Sequence, residues 1–193
     1  MCHPARMNLQ LLPPFSRQDD FHVVIESPRG STLKLKYSAE WEAMGITRPL
    51  PVGLMFPFDS GFVPSTLNVD GDPLDAFVVW DTCAYPGVVV VCRALGVLQV
   101  EQNAANFDSS RRIRNDRIIA LPTEARREAG EWQTIDDVPQ RLREEWIQFT
   151  IASTALEGKD AAALGWGGCD EALSLIARTA AVWNSSASSS RHR

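Results

Sequence analysis

Asp70-Gly71-Asp72-Pro73-Leu74-Asp75 sets three carboxylates within six residues and divides them with a glycine and a proline. Such a run cannot be one solvated face of a helix. Gly71 permits close backbone approach, and Pro73 fixes a turn that re-aims Asp75. The apolar run Ala76-Phe77-Val78-Val79-Trp80 follows at once and ties the acidic turn to a core. From residue types, two readings stand open. One is a polar turn whose aspartates cap backbone amides. The other is a site for a hard divalent cation, since magnesium takes one or two carboxylates together with waters and phosphate oxygens. A calcium loop of the EF-hand type is excluded by the missing distal glutamate and the missing helical flanks.

Outward from this turn, strand signals dominate the first two thirds of the chain. Phe21-His22-Val23-Val24-Ile25-Glu26 is a β-branched run stopped by Pro28 and Gly30. Leu33-Lys34-Leu35-Lys36-Tyr37 alternates apolar and charged residues with the period of a half-buried strand. Residues 88–100 form a long valine-rich run, and Ile118-Ile119-Ala120-Leu121 ends at Pro122. Short strands with turns between them predict an antiparallel barrel or sandwich. Helix signals follow. Asp136-Asp137-Val138-Pro139 reads as a helix start, with Leu142, Trp146, Phe149 and Thr150 at helical spacing behind it. Leu173, Ile176, Ala180 and Trp183 then share one face of a second helix. The predicted fold is α+β: a small antiparallel, OB-like β-barrel with two flanking C-terminal helices. Residues 1–20 read as an extended arm, 21–184 as the domain, and 185–193 as a disordered serine-rich tail.

Composition narrows the function. The formal net charge of −5 over 193 residues gives no basic stripe for phosphate backbones, so nucleic acid is not an expected partner. No run is long enough for a membrane span, and none reads as a secretory leader. Cys2, Cys83, Cys92 and Cys169 form no CxxC pair, and His3, His22 and His192 lack metal-finger spacing. Scattered thiols of this kind suit a reducing cytoplasm. The six tryptophans read mostly as core or subunit-interface residues, and Arg111-Arg112-Ile113-Arg114 as a solvated loop.

The stretch Asp70 to Ala76, DGDPLDA, resembles the signature of the family I soluble inorganic pyrophosphatases. The similarity extends over residues 21–183. Val24-Ile25-Glu26-Ser27-Pro28-Arg29-Gly30-Ser31 resembles the family's opening strand and turn. Gly61-Phe62-Val63-Pro64-Ser65-Thr66-Leu67 precedes the signature as in the family. Arg93-Ala94-Leu95-Gly96-Val97-Leu98, Arg117-Ile118-Ile119-Ala120-Leu121-Pro122, Leu156-Glu157-Gly158-Lys159 and Gly165-Trp166 follow in order. The resemblance implies magnesium-dependent hydrolysis of inorganic diphosphate by a homo-oligomer. It implies metal ligation by Asp70, Asp75 and Glu26. Asp72 becomes the base on the attacking water, and Lys34, Arg48 and Arg117 hold substrate oxygens.

Several positions depart from the family pattern. Lys36 stands where a glutamate is expected, and Phe56 and Ser60 where two tyrosines are expected. Gln102 and Asn103 replace an acidic pair, Asn115 replaces a metal-binding aspartate, and Arg117 replaces a lysine. Ser153 and Thr154 stand at a Tyr-Lys pair. Glu101 and Asp116 adjoin the altered positions and are candidate substitute carboxylates. Glu26, Asp70, Asp72 and Asp75 are then balanced by Lys34, Lys36, Arg48 and Arg117, leaving a formally neutral site. The expectation is one or two Mg2+ ions, with Mn2+ as the alternative, and weakened turnover. The competing reading is a catalytically impaired paralogue that binds diphosphate or another small phosphorylated anion in a regulatory or structural role.

Overall fold

The valine-rich run becomes the strand on which the fold is organised. A computed structural model describes residues 8–104, 111–124 and 131–190. The elements comprise β1 (Phe21–Ser27), β2 (Leu33–Ser38), β3 (Ala43–Pro49), β4 (Asp59–Val63), β5 (Leu74–Val78), β6 (Val89–Asn103), β7 (Arg112–Arg114) and β8 (Arg117–Pro122). The helix α1 (Gln140–Thr154), the strand β9 (Ala162–Gly167) and the helix α2 (Cys169–Ser190) complete the order. β6 is long enough to pair with β1, β7, β8 and β9 along its length, bending at irregularities beside Gly96 and Val100.

Among the described residues, β1, β4, β5, β8 and β6 close into a ring, with β6 returning to β1. The expected antiparallel barrel is corrected at one contact. β5 and β8 run parallel, with Ala76 opposite Ile118 and Phe77 opposite Ile119. Gly61 lets the ring close, because a Cβ there would lie 1.9 Å from the Val24 carbonyl oxygen. β2 and β3 form a separate hairpin. β3, β4, β7 and β9 carry no clear strand signal in the sequence; β4 and β9 contain glycines and β3 is largely exposed, so none alternates cleanly.

Both expected helices are present and pack on the ring. Before α1, the Asp137 carboxylate accepts from the Gln133 and Thr134 amides at 2.8 Å each and organises the entry. Trp146 and Phe149 then meet Phe56 and Phe58, with the Phe56–Phe149 rings 5.1 Å apart and Phe58 stacked on Phe77 at 4.1 Å. On the other side, Ala172 and Ile176 of α2 close over Phe21, Ile25, Val63 and Leu74. Trp41 does not join the core; it is 68% exposed on the β2–β3 hairpin.

Three other expectations need correction. Residues 185–190 continue α2 rather than fraying, and the Ser185, Ser186 and Ser188 hydroxyls bond back to helix carbonyls at 2.8–2.9 Å. Residues 8–20 are not a bare extended arm. Leu9–Leu11 makes a 3-10 turn, Leu9 and Leu12 pack against Tyr37 and Phe62, and Phe15 bridges to Phe21. The basic run forms β7, where Arg112 reaches Glu101 and Asp160 and Arg114 pairs with Asp116. Cys2, His3 and His192 lie outside the described residues.

Candidate active site

The acidic turn is built by its own backbone. Asn68 N–H donates to the Asp72 carbonyl at 2.8 Å, Gly71 N–H donates to the Asn68 carbonyl at 3.1 Å, and Gly71 takes φ +88°. A residue with a side chain is strained in that conformation. Asp70 Oδ1 accepts from the Asp72 amide at 3.2 Å, so one carboxylate helps shape the loop. Beneath it, the buried Thr66 hydroxyl accepts from Leu74 N–H at 2.9 Å and donates to the Val63 carbonyl at 2.6 Å. Thr66 thus pins the start of β5, a role without any signal in the sequence. Leu74 points into the core, and strand alternation turns Asp75 the other way.

Two cavities meet at this turn. One is lined by Glu26, Lys34, Lys36, Asp70, Asp72, Asp75, Asn115, Arg117 and Lys159. The other includes Glu26, Lys34, Arg48, Phe56, Ser60, Asp75, Phe77, Arg117, Phe149, Ser153 and Thr154. Glu26, Lys34, Asp75 and Arg117 line both. Thus Glu26, Lys34, Arg48, Asp70, Asp72, Asp75 and Arg117 come together in one cleft although they are spread over 92 positions of sequence. Lys34 and Lys36 are two apart on β2, and Arg48 faces Lys34 across the hairpin. Lys159 and its ion-pair partner Glu157 (3.0 Å) join the group. Their motif Leu156-Glu157-Gly158-Lys159 carries the family resemblance but no signal of a site role in the sequence alone.

The carboxylates already have cationic neighbours. Lys36 ammonium pairs with Asp72 Oδ1, and Arg117 Nη1 reaches Asp75 Oδ2 at 2.9 Å. Arg48 pairs with Glu157 and donates to the Ser153 carbonyl at 2.7 Å. Glu26 Oε1 accepts from Tyr37 N–H at 2.7 Å. Burial nonetheless pushes the Glu26 carboxyl up to about 7, opposed by that amide and reinforced by the nearby Asp75 charge. Burial also raises Asp70, with Asp75 adding to the effect, and burial lowers Lys34. For Lys36, burial pulls downward, but the hydrogen bond and charge of Asp72 outweigh it and the ammonium is stabilised. With Glu26 partly protonated near neutrality, the cleft carries a positive bias.

The altered positions have clear fates. Phe56 is buried, packing its ring on Phe149, and presents no hydroxyl. The Ser153 and Thr154 hydroxyls turn to helix carbonyls of α1 at 3.1–3.3 Å. Asn115 lines the cleft and accepts from Arg117 Nη1 at 2.6 Å, while Gln102 is buried and Asn103 reaches the Gly158 carbonyl. The expected substitutes do not repair the site. Glu101 is paired with Arg112 at 3.2 Å; Asp116 holds Val100 N–H at 2.9 Å and pairs with Arg114. Neither lines either cavity of the cleft. Arg112 and Arg114 of β7 neutralise them in place.

A model of the family described as inorganic pyrophosphatase matches residues 23–184. The chain belongs to the inorganic pyrophosphatase family. An inorganic pyrophosphatase of Thermus thermophilus is 37% identical over 153 residues, covering 79% of this chain and 82% of that protein. One of Nostoc sp. is 32% identical over 170 residues, covering 88% and 95%. A crystal structure of inorganic pyrophosphatase from Thermus thermophilus superposes with a TM-score of 0.82 at 33% identity, covering 92% of this chain and 99% of that one. The ring of strands with two C-terminal helices is therefore the pyrophosphatase fold, and the acidic turn sits on its sheet.

The donor set suits a hard divalent ion, because the cleft offers carboxylate oxygens and no thiolate or imidazole. Among the described residues, no three His, Cys, Asp or Glu side chains are grouped so as to hold one ion between them. In a pyrophosphatase-family cleft whose Asp72 and Asp75 already carry Lys36 and Arg117, a bound ion would need water and substrate oxygens to complete its shell.

Proposed function

We propose that this protein hydrolyses inorganic diphosphate to two phosphates with magnesium, at a reduced rate. The observation that carries the reading is the convergence of Glu26, Asp70, Asp72 and Asp75 with Lys34, Arg48 and Arg117 in one cleft of a pyrophosphatase-family chain. Lys34, Arg48, Arg117 and Lys159 supply the positive charge that receives the anion and holds it in place. Asp72, half-exposed at the tip of the turn, takes the proton of the attacking water. The water oxygen bonds to one phosphorus as the bridging P–O bond breaks, and the second phosphate leaves with the bond pair. Asp70, Asp75 and Glu26 are the residues to hold magnesium, or manganese in its stead, with one or two ions expected. When bound, the ion would neutralise phosphate charge and acidify the attacking water.

Turnover is reduced because the leaving phosphate meets Phe56, Phe149 and two hydroxyls engaged with α1, where hydrogen-bond donors would serve it. Losing one such stabiliser commonly costs about a hundredfold in rate. Phosphate release from diphosphate with magnesium, measured beside Asp72→Asn, tests the reading. Release abolished in the variant supports hydrolysis through the retained carboxylates. No release with magnesium or manganese from the unaltered protein overturns it in favour of anion binding.

Exposed Trp41, Ile46, Val52 and Met55 on and beside the hairpin support a homo-oligomer, which sedimentation velocity tests. Cys83, Cys92 and Cys169 are free thiols, which supports a cytoplasmic setting. No described helix is long and apolar enough to cross a membrane.

A further inference from the structure

The two cations that cover the signature carboxylates are held very differently. Arg117 is 9% exposed, and beyond Asp75 its Nη1 donates to the Asn115 carbonyl and side-chain oxygens at 2.6 Å and to the Asp116 carbonyl at 3.2 Å. It is a fixed part of the wall. Lys36 is 41% exposed, its Asp72 partner is 54% exposed, and its ammonium contacts Asp72 alone among the described hydrogen bonds. Its cross-strand neighbour on β3 is Gly45, whose bare face is met by the Trp41 ring and by no charged side chain. An exposed pair of this kind is worth at most about fivefold in an equilibrium. A polyanion arriving two residues away at Lys34 outcompetes a single carboxylate for such an ammonium.

We propose that Lys36 is a detachable countercation. Without substrate its ammonium covers Asp72 and sets a positive charge in the cavity shared with Asp70 and Asp75, which keeps divalent ions weakly bound there; diphosphate draws the ammonium onto a phosphate oxygen, so Asp72 is uncovered for the attacking water and metal is taken up only with substrate in place. The inference rests on the diphosphatase reading for the identity of the anion. Lys36 is thus a positioning residue acting through Asp72, and metal uptake depends on the anion.

Calorimetric titration of magnesium into the unaltered protein, Lys36→Gln and Lys36→Arg, each with and without methylenediphosphonate, tests this. The analogue should tighten magnesium binding to the unaltered protein by about tenfold or more. Lys36→Gln should tighten binding in the absence of the analogue by about fivefold and shrink the effect of adding it. Lys36→Arg, which keeps the charge, should behave as the unaltered protein. Magnesium affinity within about twofold in Lys36→Gln that melts normally overturns the proposal. Should that variant not fold, micromolar magnesium binding to the unaltered protein without the analogue overturns it equally. Phosphate release is measured separately: no hydrolysis beside a clear Lys36 effect removes the hydrolase reading alone. Hydrolysis with no Lys36 effect removes the countercation alone.

Discussion

Replacing Arg117 by methionine keeps an apolar stem of similar reach and deletes the guanidinium that joins β5 to β8. The group makes the 2.9 Å ion pair to Asp75 and three hydrogen bonds to Asn115 and Asp116 oxygens. Breaking a fully buried ion pair from one side costs about 3–5 kcal/mol. Here the arginine is 9% exposed but the Asp75 side chain is 36% exposed, so water can return to the carboxylate. Asn115 Oδ1 also keeps a weak contact from Asn68 Nδ2 at 3.4 Å. The expected loss is therefore about 2–3 kcal/mol, below the buried-pair figure. Urea unfolding at neutral pH, followed by tryptophan fluorescence, measures it. Millimolar magnesium should restore more stability to the variant than it adds to the unaltered protein, because Asp75 is released to hold the ion. A loss under about 0.5 kcal/mol, or an equal magnesium effect in both proteins, would refute the claim that this pair both holds the rim and restrains metal binding.

The Glu26 carboxyl, raised by burial from 4.5 to about 7, favours folding when protonated, so its contribution is full below pH 4.5 and is lost as pH rises through 7. In metal-free protein the stability difference between unaltered chain and Glu26→Gln should change across that window by up to about 3 kcal/mol, and a flat difference in urea unfolding would contradict it. Gly61→Ala should destabilise by about 3 kcal/mol, because its Cβ meets the Val24 carbonyl oxygen and the ring must open; an unchanged melting temperature would count against the closure argument. Asp116→Asn should cost about 1–2 kcal/mol through Arg114 and Val100 while leaving the magnesium dependence of turnover unchanged. Asp70→Asn should raise the magnesium requirement at least tenfold, and matching profiles for the two variants would show that the cleft has been assigned to the wrong carboxylates.

Much of this was legible because local chemistry and tertiary role coincide. The DGDPLDA turn, the valine-rich β6 and the helical spacing of Trp146 and Phe149 each carry signals strong enough to survive into the fold. The strands that escaped reading hold their place through neighbours: β9 through β6, β7 through arginine pairs, and β4 through a glycine that makes no sense until β1 lies against it. The same holds in the cleft. Residue types told that Glu101 and Asp116 were carboxylates near the altered positions, but not that Arg112 and Arg114 on the next strand would claim them. Thr66 and Lys159 went unassigned because a hydroxyl under a loop and a lysine after a helix carry no pattern of their own.

The parallel contact between β5 and β8 has a consequence for how this chain tolerates change in length. Parallel neighbours begin at the same end of a sheet, so the residues that open them stand side by side however far apart they lie in the chain. Asp75 and Arg117 are such residues, set by the Ala76–Ile118 register one step further in. The chain between the two strands can therefore gain or lose residues away from the Asn68–Pro73 turn and from Asn115–Asp116 without moving the acid from the base. The rim of the cleft is indexed to the sheet, and the connections outside it are left free to vary.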